Sequence, residues 1–370
     1  MSNTPSPNEV RGGKPPKQRD SNLELMRIIA MLLIVAHHYV VNSGLTLPEG
    51  PIFADPMSKR SLFLLVFGAW GKIGINCFMM ITGYFMCKSN ITVKKFAKLF
   101  LEVMFYRIVI YAVFRISGYE PFSFRFLADR LIPITKVEQG FTSCFILFFL
   151  FIPFLNKLVQ NLNEKQHLAL IGLCSFTYIV FGTLHRVAMN YVSWFIVLYF
   201  ISSYIRLYPK KWFSNTKITG ILLLFSVVLS VCSVIGCAWV GTKIGKNSPF
   251  FFVTDSNTFL AVAVGIFAFL FFKNIRIPYS RIINTVAAST FGVLLIHANS
   301  GTMRHWLWKD AVDCTGHYGD RFMPLYAITC VLAIFTVCTL IDILRINCLE
   351  KPFFGFWDKH CGRVAAKPNE

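Results

Sequence analysis

One stretch near the start constrains the chain more than any other. Leu23 to Val41 is apolar and long enough to cross a bilayer core, which takes about 20 mostly apolar residues, yet it carries Glu24, Arg27, His37 and His38. Ionisable groups in a spanning helix are costly and normally face the bundle interior or a watery cavity. At about 100° per residue, the eleven steps from Arg27 to His38 return to within roughly 20° of the same face, about 16 Å further along the axis. Glu24, three residues before Arg27, shares that face and can pair with it. His37 points roughly 100° away. The helix therefore carries one polar seam that ends in a histidine.

Composition fits a membrane protein. Charged residues make up 15% of the chain, whereas soluble domains average about 25%. Hydrophobic residues reach 55% and the mean hydropathy is +0.56. A net charge of +19 would suggest nucleic acid in a soluble protein, so the placement of the charge decides. Eleven cysteines, most of them in apolar stretches, show no paired C-x-x-C spacing. They read as small buried hydrophobes, with no disulfide framework, no metal and no bound cofactor.

Residues 1–20 are rich in Pro, Gly and charge and read as a disordered basic cytoplasmic arm, not as a signal peptide. Apolar stretches then follow at Leu23–Val41, Ser61–Cys87, Phe96–Ile116, Phe141–Leu158, Leu168–Leu184, Tyr191–Leu207, Ile218–Val240, Thr258–Phe272, Ile282–Ala298 and Met323–Leu344. Gly68, Gly71, Gly74 and Lys72 divide the second, whose first part is expected to lie at the interface or re-enter. The reading is an all-α integral membrane protein of about ten transmembrane helices, with a membrane domain over 21–347 and a cytoplasmic tail over 348–370. Connections on the N-terminal side hold 22 Lys and Arg against 11 on the opposite side, which by the positive-inside rule puts both termini in the cytoplasm. The basic charge thus reports topology, and no nucleic-acid partner is expected.

The run LELMRIIAMLLIVAHHYV, with Arg27, ten residues and His38, resembles the first helix of the membrane-bound acyltransferase family 3, integral membrane O-acyltransferases acting on cell-envelope carbohydrates. GINCFMMITGYFM from Gly74 is similar to a second family signature, with Thr82 where a serine is usual. STFGVLLIHANSG from Ser289 resembles a late family helix. The resemblance spans about residues 20–345. It implies transfer of an acyl group, by default acetyl, from cytoplasmic acyl-CoA to a hydroxyl of a carbohydrate or glycolipid acceptor at the plasma membrane.

Within that resemblance His38 is the general base, since neutral imidazole suits proton abstraction near neutral pH. Arg27 helps seat the donor, as guanidinium groups hold phosphates through planar paired bonds. Glu24, Asn76, Tyr84, Arg107 and His297 are the expected substrate-binding set. Each has a plainer reading: His38 as a packing histidine, Arg27 as an interfacial arginine paired with Glu24, Asn76 and Tyr84 as packing, and His297 as an idle helix-end group. Arg107 and Glu102, five apart, are poorly aligned to pair with each other and should each find a partner on another helix. Trp194 reads more simply as an aromatic-belt residue. The chain has no P-loop, H-E-x-x-H or G-x-S-x-G motif. The alternative class is a multi-span transporter or flippase for a lipid-linked sugar or small metabolite, which gives no reason for an Arg-x10-His seam.

Overall fold

The computed structural model describes residues 20–134, 140–185, 187 and 190–360, without the side chains of Arg125 and Phe126. Nearly all of the expected N-terminal arm and the last ten residues of the tail lie outside the described residues. No strand occurs among the described residues.

The first helix, α1 (Ser21–Val41), is the hub. Its start is tied down by polar groups. Ser21 Oγ accepts from the Ser280 amide and from Asn284 Nδ2, both at 2.9 Å, and the Asn22 amide donates to the carbonyls of Phe272, Lys273 and Ile275. Beyond that start, Leu23, Met26, Ala30, Met31, Ile34, Val35, Tyr39 and Val40 are all buried. They cover more than one stripe of the helix, because α1 packs on six others.

Three of these neighbours come from the next apolar stretch and the tenth. Lys59–Gly68 (α2) and Gly71–Met86 (α3) run antiparallel to α1, and Gly68, Gly71 and Gly74 face it in register. A β-carbon at Gly68 would stand 2.7 Å from Val40 Cβ, one at Gly71 2.3 Å from His37 Cγ, and one at Gly74 2.7 Å from the Ala30 carbonyl oxygen. Small residues let membrane helices approach closely, and here every third residue must be small for α1 to lie flush. Together α2 and α3 form one 28-residue stretch, with a short break at Ala69–Trp70, that is long and apolar enough to be a single candidate span.

The next elements are Val93–Ile116 (α4), Phe124–Leu131 (α5), Phe141–Asn161 (α6), Glu164–Leu184 (α7) and Tyr191–Leu207 (α8). They are followed by Thr216–Ile244 (α9), Phe259–Asn274 (α10), Arg281–Ala288 (α11), Thr290–His297 (α12), Gly301–Ala311 (α13) and Met323–Arg345 (α14). Helical structure runs on from Met323 to His360, so the start of the expected tail, 348–360, prolongs the last helix. Besides α2 and α3, α1 packs against α10, α11, α12 and α14.

Polarity is inverted relative to a soluble bundle. On α9 the buried residues are Thr219, Ser226, Ser230, Val234, Ala238 and Gly241, while Ile221, Leu224, Phe225, Val228 and Ile244 are exposed. Large apolar side chains outside and small or hydroxylated ones inside suit a lipid surround. By length and apolar composition six helices can cross a membrane, or seven if the two arms of Arg281–His297 and Gly301–Ala311, bent by 94°, count as one span. All ten expected stretches are helical. The difference from ten arises because α4 carries Lys94, Lys95, Lys98, Glu102, Arg107 and Arg115, because α8 and α10 have 17 and 16 residues, and because the ninth stretch is broken.

A buried ionic knot joins α4 to α14. Arg345 donates to Asp342 Oδ1 at 2.7 Å, Glu102 Oε1 at 2.9 Å and Glu350 Oε2 at 2.9 Å. Tyr106 donates to Asp342 at 2.8 Å, and Lys98 reaches Glu350 at 2.6 Å. Glu102 and Arg107 thus do find partners on other helices; Arg107 donates to the backbone carbonyls of Asp129 and Arg130 on α5.

Candidate active site

A cavity of about 460 Å³ opens beside the far end of α1. His37 and His38 border it from α1, Gly71 and Lys72 from α3, Arg107 from α4, Asp129 and Arg130 from α5, Tyr191 from the start of α8, and Arg304 from α13. The 94° bend after His297 turns α13 back so that Arg304 faces the cavity. A second hollow, about 570 Å³ around Asp55, Lys59, Arg60 and Tyr318, holds none of the residues selected from sequence.

The histidines fix one another's protons. His297 Nδ1 lies 2.6 Å from the Val293 carbonyl oxygen. A carbonyl only accepts, so Nδ1 carries the hydrogen and, in the neutral ring, Nε2 keeps its lone pair. That lone pair lies 2.9 Å from His38 Nδ1, which must therefore donate. His38 Nε2 is left with a lone pair and, among the described residues, no protein partner. His38 is half-buried on the cavity, whereas His297 is fully buried and does not line it.

His37 donates from Nδ1 to the Gly68 carbonyl at 2.6 Å, which also leaves its Nε2 as an acceptor. Although it sits on a different face of α1, it borders the same cavity, because α3 lies against that face. Its ring centroid is 5.8 Å from that of His38.

Cations dominate the wall. Lys72 Nζ donates to Tyr191 Oη at 2.9 Å and stands 3.9 Å from Asp255. Arg130 is 3.7 Å from Glu120. Arg304 Nε donates to the Ser300 carbonyl at 3.2 Å, and no carboxylate among the described residues pairs with its guanidinium. A cationic wall favours negative charge as it develops on a substrate.

The other sequence-selected residues lie elsewhere. Arg27 donates to both oxygens of Glu24, at 2.9 and 3.1 Å, as the spacing predicts. The pair does not border the cavity. Asn76 is fully buried: its amide nitrogen donates to the Ser256 and Ala261 carbonyls and its oxygen accepts from Trp194 Nε1 at 3.0 Å. Trp194 is therefore a core residue, not a belt residue, since it is 0% exposed. Tyr84 Oη accepts from Arg206 at 2.7 Å, with the guanidinium 4.6 Å from the ring centroid. Of the expected set, the cavity gathers His38 and Arg107, with His297 directly behind His38. The residues selected from sequence do not include Arg130, Arg304 or Tyr191, and Lys72 enters there only as a break in an apolar run. A lysine inside an apolar stretch is itself a signal.

The family model for the acyltransferase domain matches residues 20–343. The chain belongs to acyltransferase family 3. It is thus an acyltransferase-family protein with several helices able to span a membrane, and the matched region takes in α1, the cavity and nearly all of α14. No curated protein and no solved structure matches the chain.

Proposed function

We propose that this acyltransferase moves an acyl group, acetyl in the simplest case, from cytoplasmic acyl-CoA to a hydroxyl of a cell-envelope glycan, with His38 as the general base. The observation that carries this reading is the unpartnered Nε2 lone pair of His38 on a cation-walled cavity. As the acceptor oxygen bonds to the thioester carbon, its proton passes to Nε2. The tetrahedral oxyanion is then stabilised by cations such as Arg304 and Lys72, and the C–S bond breaks as His38 returns the proton to the thiolate. General-base catalysis of this kind contributes about 10²- to 10⁴-fold.

Arg27 lies about 16 Å along the same helix, at the end that the charge distribution assigns to the cytoplasm together with both termini. An extended pantetheine arm reaches across such a distance. In this reading Arg27, braced by Glu24, holds the phosphate-bearing part of the donor while the thioester enters the cavity. The host membrane is the plasma membrane.

The test uses membrane vesicles containing the protein, radiolabelled acetyl-CoA and a cell-envelope glycan extract. Wild type and His37→Asn, which keeps a donor to Gly68, are expected to label glycan, and His38→Ala is not. Equal activity of His38→Ala and wild type overturns the assignment of the base. Accumulation of a labelled glycolipid without consumption of acyl-CoA identifies a transporter instead.

A further inference from the structure

We infer that His297 is a positioning residue that holds His38 in the tautomer able to act as a base. The inference rests on the proposed role of His38 and extends it to a buried partner. Three facts carry it. His297 does not border the cavity, so it is not placed to touch an acceptor sugar. It is 0% exposed and its Nδ1–H is committed to the Val293 carbonyl of its own helix at 2.6 Å. Its Nε2 therefore offers His38 Nδ1–H an acceptor at 2.9 Å and nothing else.

A free neutral imidazole divides its hydrogen between its two nitrogens. If the hydrogen of His38 sat on Nε2, the group facing the cavity would be a donor and could not take the acceptor's proton. The chain from the Val293 carbonyl through His297 to His38 Nδ1 removes that form, since it would set two lone pairs 2.9 Å apart. When His38 Nε2 takes the proton, Nδ1–H keeps its bond to His297, so the ring does not turn between the two proton transfers. The carboxylate of a serine-protease triad fixes its histidine in the same way; here a neutral, carbonyl-anchored imidazole does so inside a bundle. The charged and titratable groups facing His38 across the cavity are His37, Lys72, Arg107, Asp129, Arg130, Tyr191 and Arg304, and none of them has a bond to its Nδ1.

The test compares His297→Leu with His297→Gln. Leucine fills similar space without an acceptor, whereas the glutamine carbonyl can still accept from His38 Nδ1. His297→Leu is expected to lower kcat by about 10²-fold or more at every pH, with KM for acetyl-CoA and acceptor within about twofold. His297→Gln should recover most of that loss. Nitrogen-15 NMR of histidine-labelled protein in micelles supplies a readout independent of transfer. In wild type, His38 should show a protonated Nδ1 and a lone pair on Nε2, and in His297→Leu the proton should move largely to Nε2. Unchanged His38 signals in His297→Leu, or a raised acceptor KM with kcat intact, overturn the inference. If instead wild type transfers no acyl group while the NMR shift is seen, the catalytic reading fails and the tautomer lock stands.

Discussion

Gly71 lies so close to the imidazole of His37 that a β-carbon on it would stand 2.3 Å from His37 Cγ. The contact sets the separation of α1 and α3 on the side where the cavity opens. Gly71→Ala therefore has to push the His37 ring, or the whole of α3, outward. Overpacking of this kind costs about 1–3 kcal/mol, and the displaced ring enters the cavity beside His38. We expect a lower unfolding temperature in detergent and a loss of transfer larger than the loss of folded protein. Gly236→Ala, at a glycine with open space around it, is the control and should change neither.

Arg345 is the only cation bonded to Asp342 and Glu102 among the described residues, and one of two bonded to Glu350. Arg345→Met leaves those carboxylates facing one another between α4 and α14. Removing one partner of a buried ion pair costs about 3–5 kcal/mol, so the variant should insert poorly or unfold early, as read by folded yield and thermal denaturation. Adding Asp342→Asn and Glu102→Gln should restore part of the loss, because fewer buried charges then stand unpaired. No restoration would show that Arg345 acts through shape alone.

How much of this was legible before the fold was known follows from the range of each interaction. The polar seam of α1 depends on helix geometry within one element, so the Glu24–Arg27 pair and its face follow from spacing. The meeting of His38 with His297 does not, because the two are 259 residues apart and only the packing of α12 on α1 brings them together. Trp194 looks like a belt residue because its place at the start of an apolar run matches one. Its burial is decided by Asn76 on another helix, which no local pattern reveals. The span count exceeded six or seven for a similar reason. Apolar stretches can be counted from sequence, but whether α8 and α10, at 17 and 16 residues, reach across depends on tilt and neighbours.

Asn76 offers a prediction that separates packing from recognition. Its amide is satisfied by the Ser256 and Ala261 carbonyls and by Trp194, inside the bundle and away from the cavity. Asn76→Ala strands two carbonyls and the indole N–H, each unmet buried bond costing about 1–3 kcal/mol. We expect a strong fall in thermal stability with KM for donor and acceptor unchanged in the folded fraction. A raised acceptor KM at unaltered stability would restore Asn76 to the substrate-binding set.

Arg27 and Arg304 stand at opposite ends of the proposed reaction path, and kinetics can tell them apart. Arg27→Gln leaves the cavity intact but removes the cation assigned to the donor's phosphates, so KM for acetyl-CoA should rise about tenfold or more while kcat changes little. It also frees Glu24, whose carboxylate loses the partner 2.9 Å away. Adding Glu24→Gln should therefore recover any stability lost without recovering donor affinity. Arg304→Gln acts at the other end. The arginine borders the cavity with His38 and pairs with no carboxylate among the described residues, so its cation is available to the developing oxyanion. Removing one such stabilising group typically costs about 10²- to 10³-fold in kcat, with donor KM near the wild-type value. Should both variants shift donor KM alone, the cavity cations would belong to donor binding, and the oxyanion would need another partner among Lys72, Arg107 and Arg130.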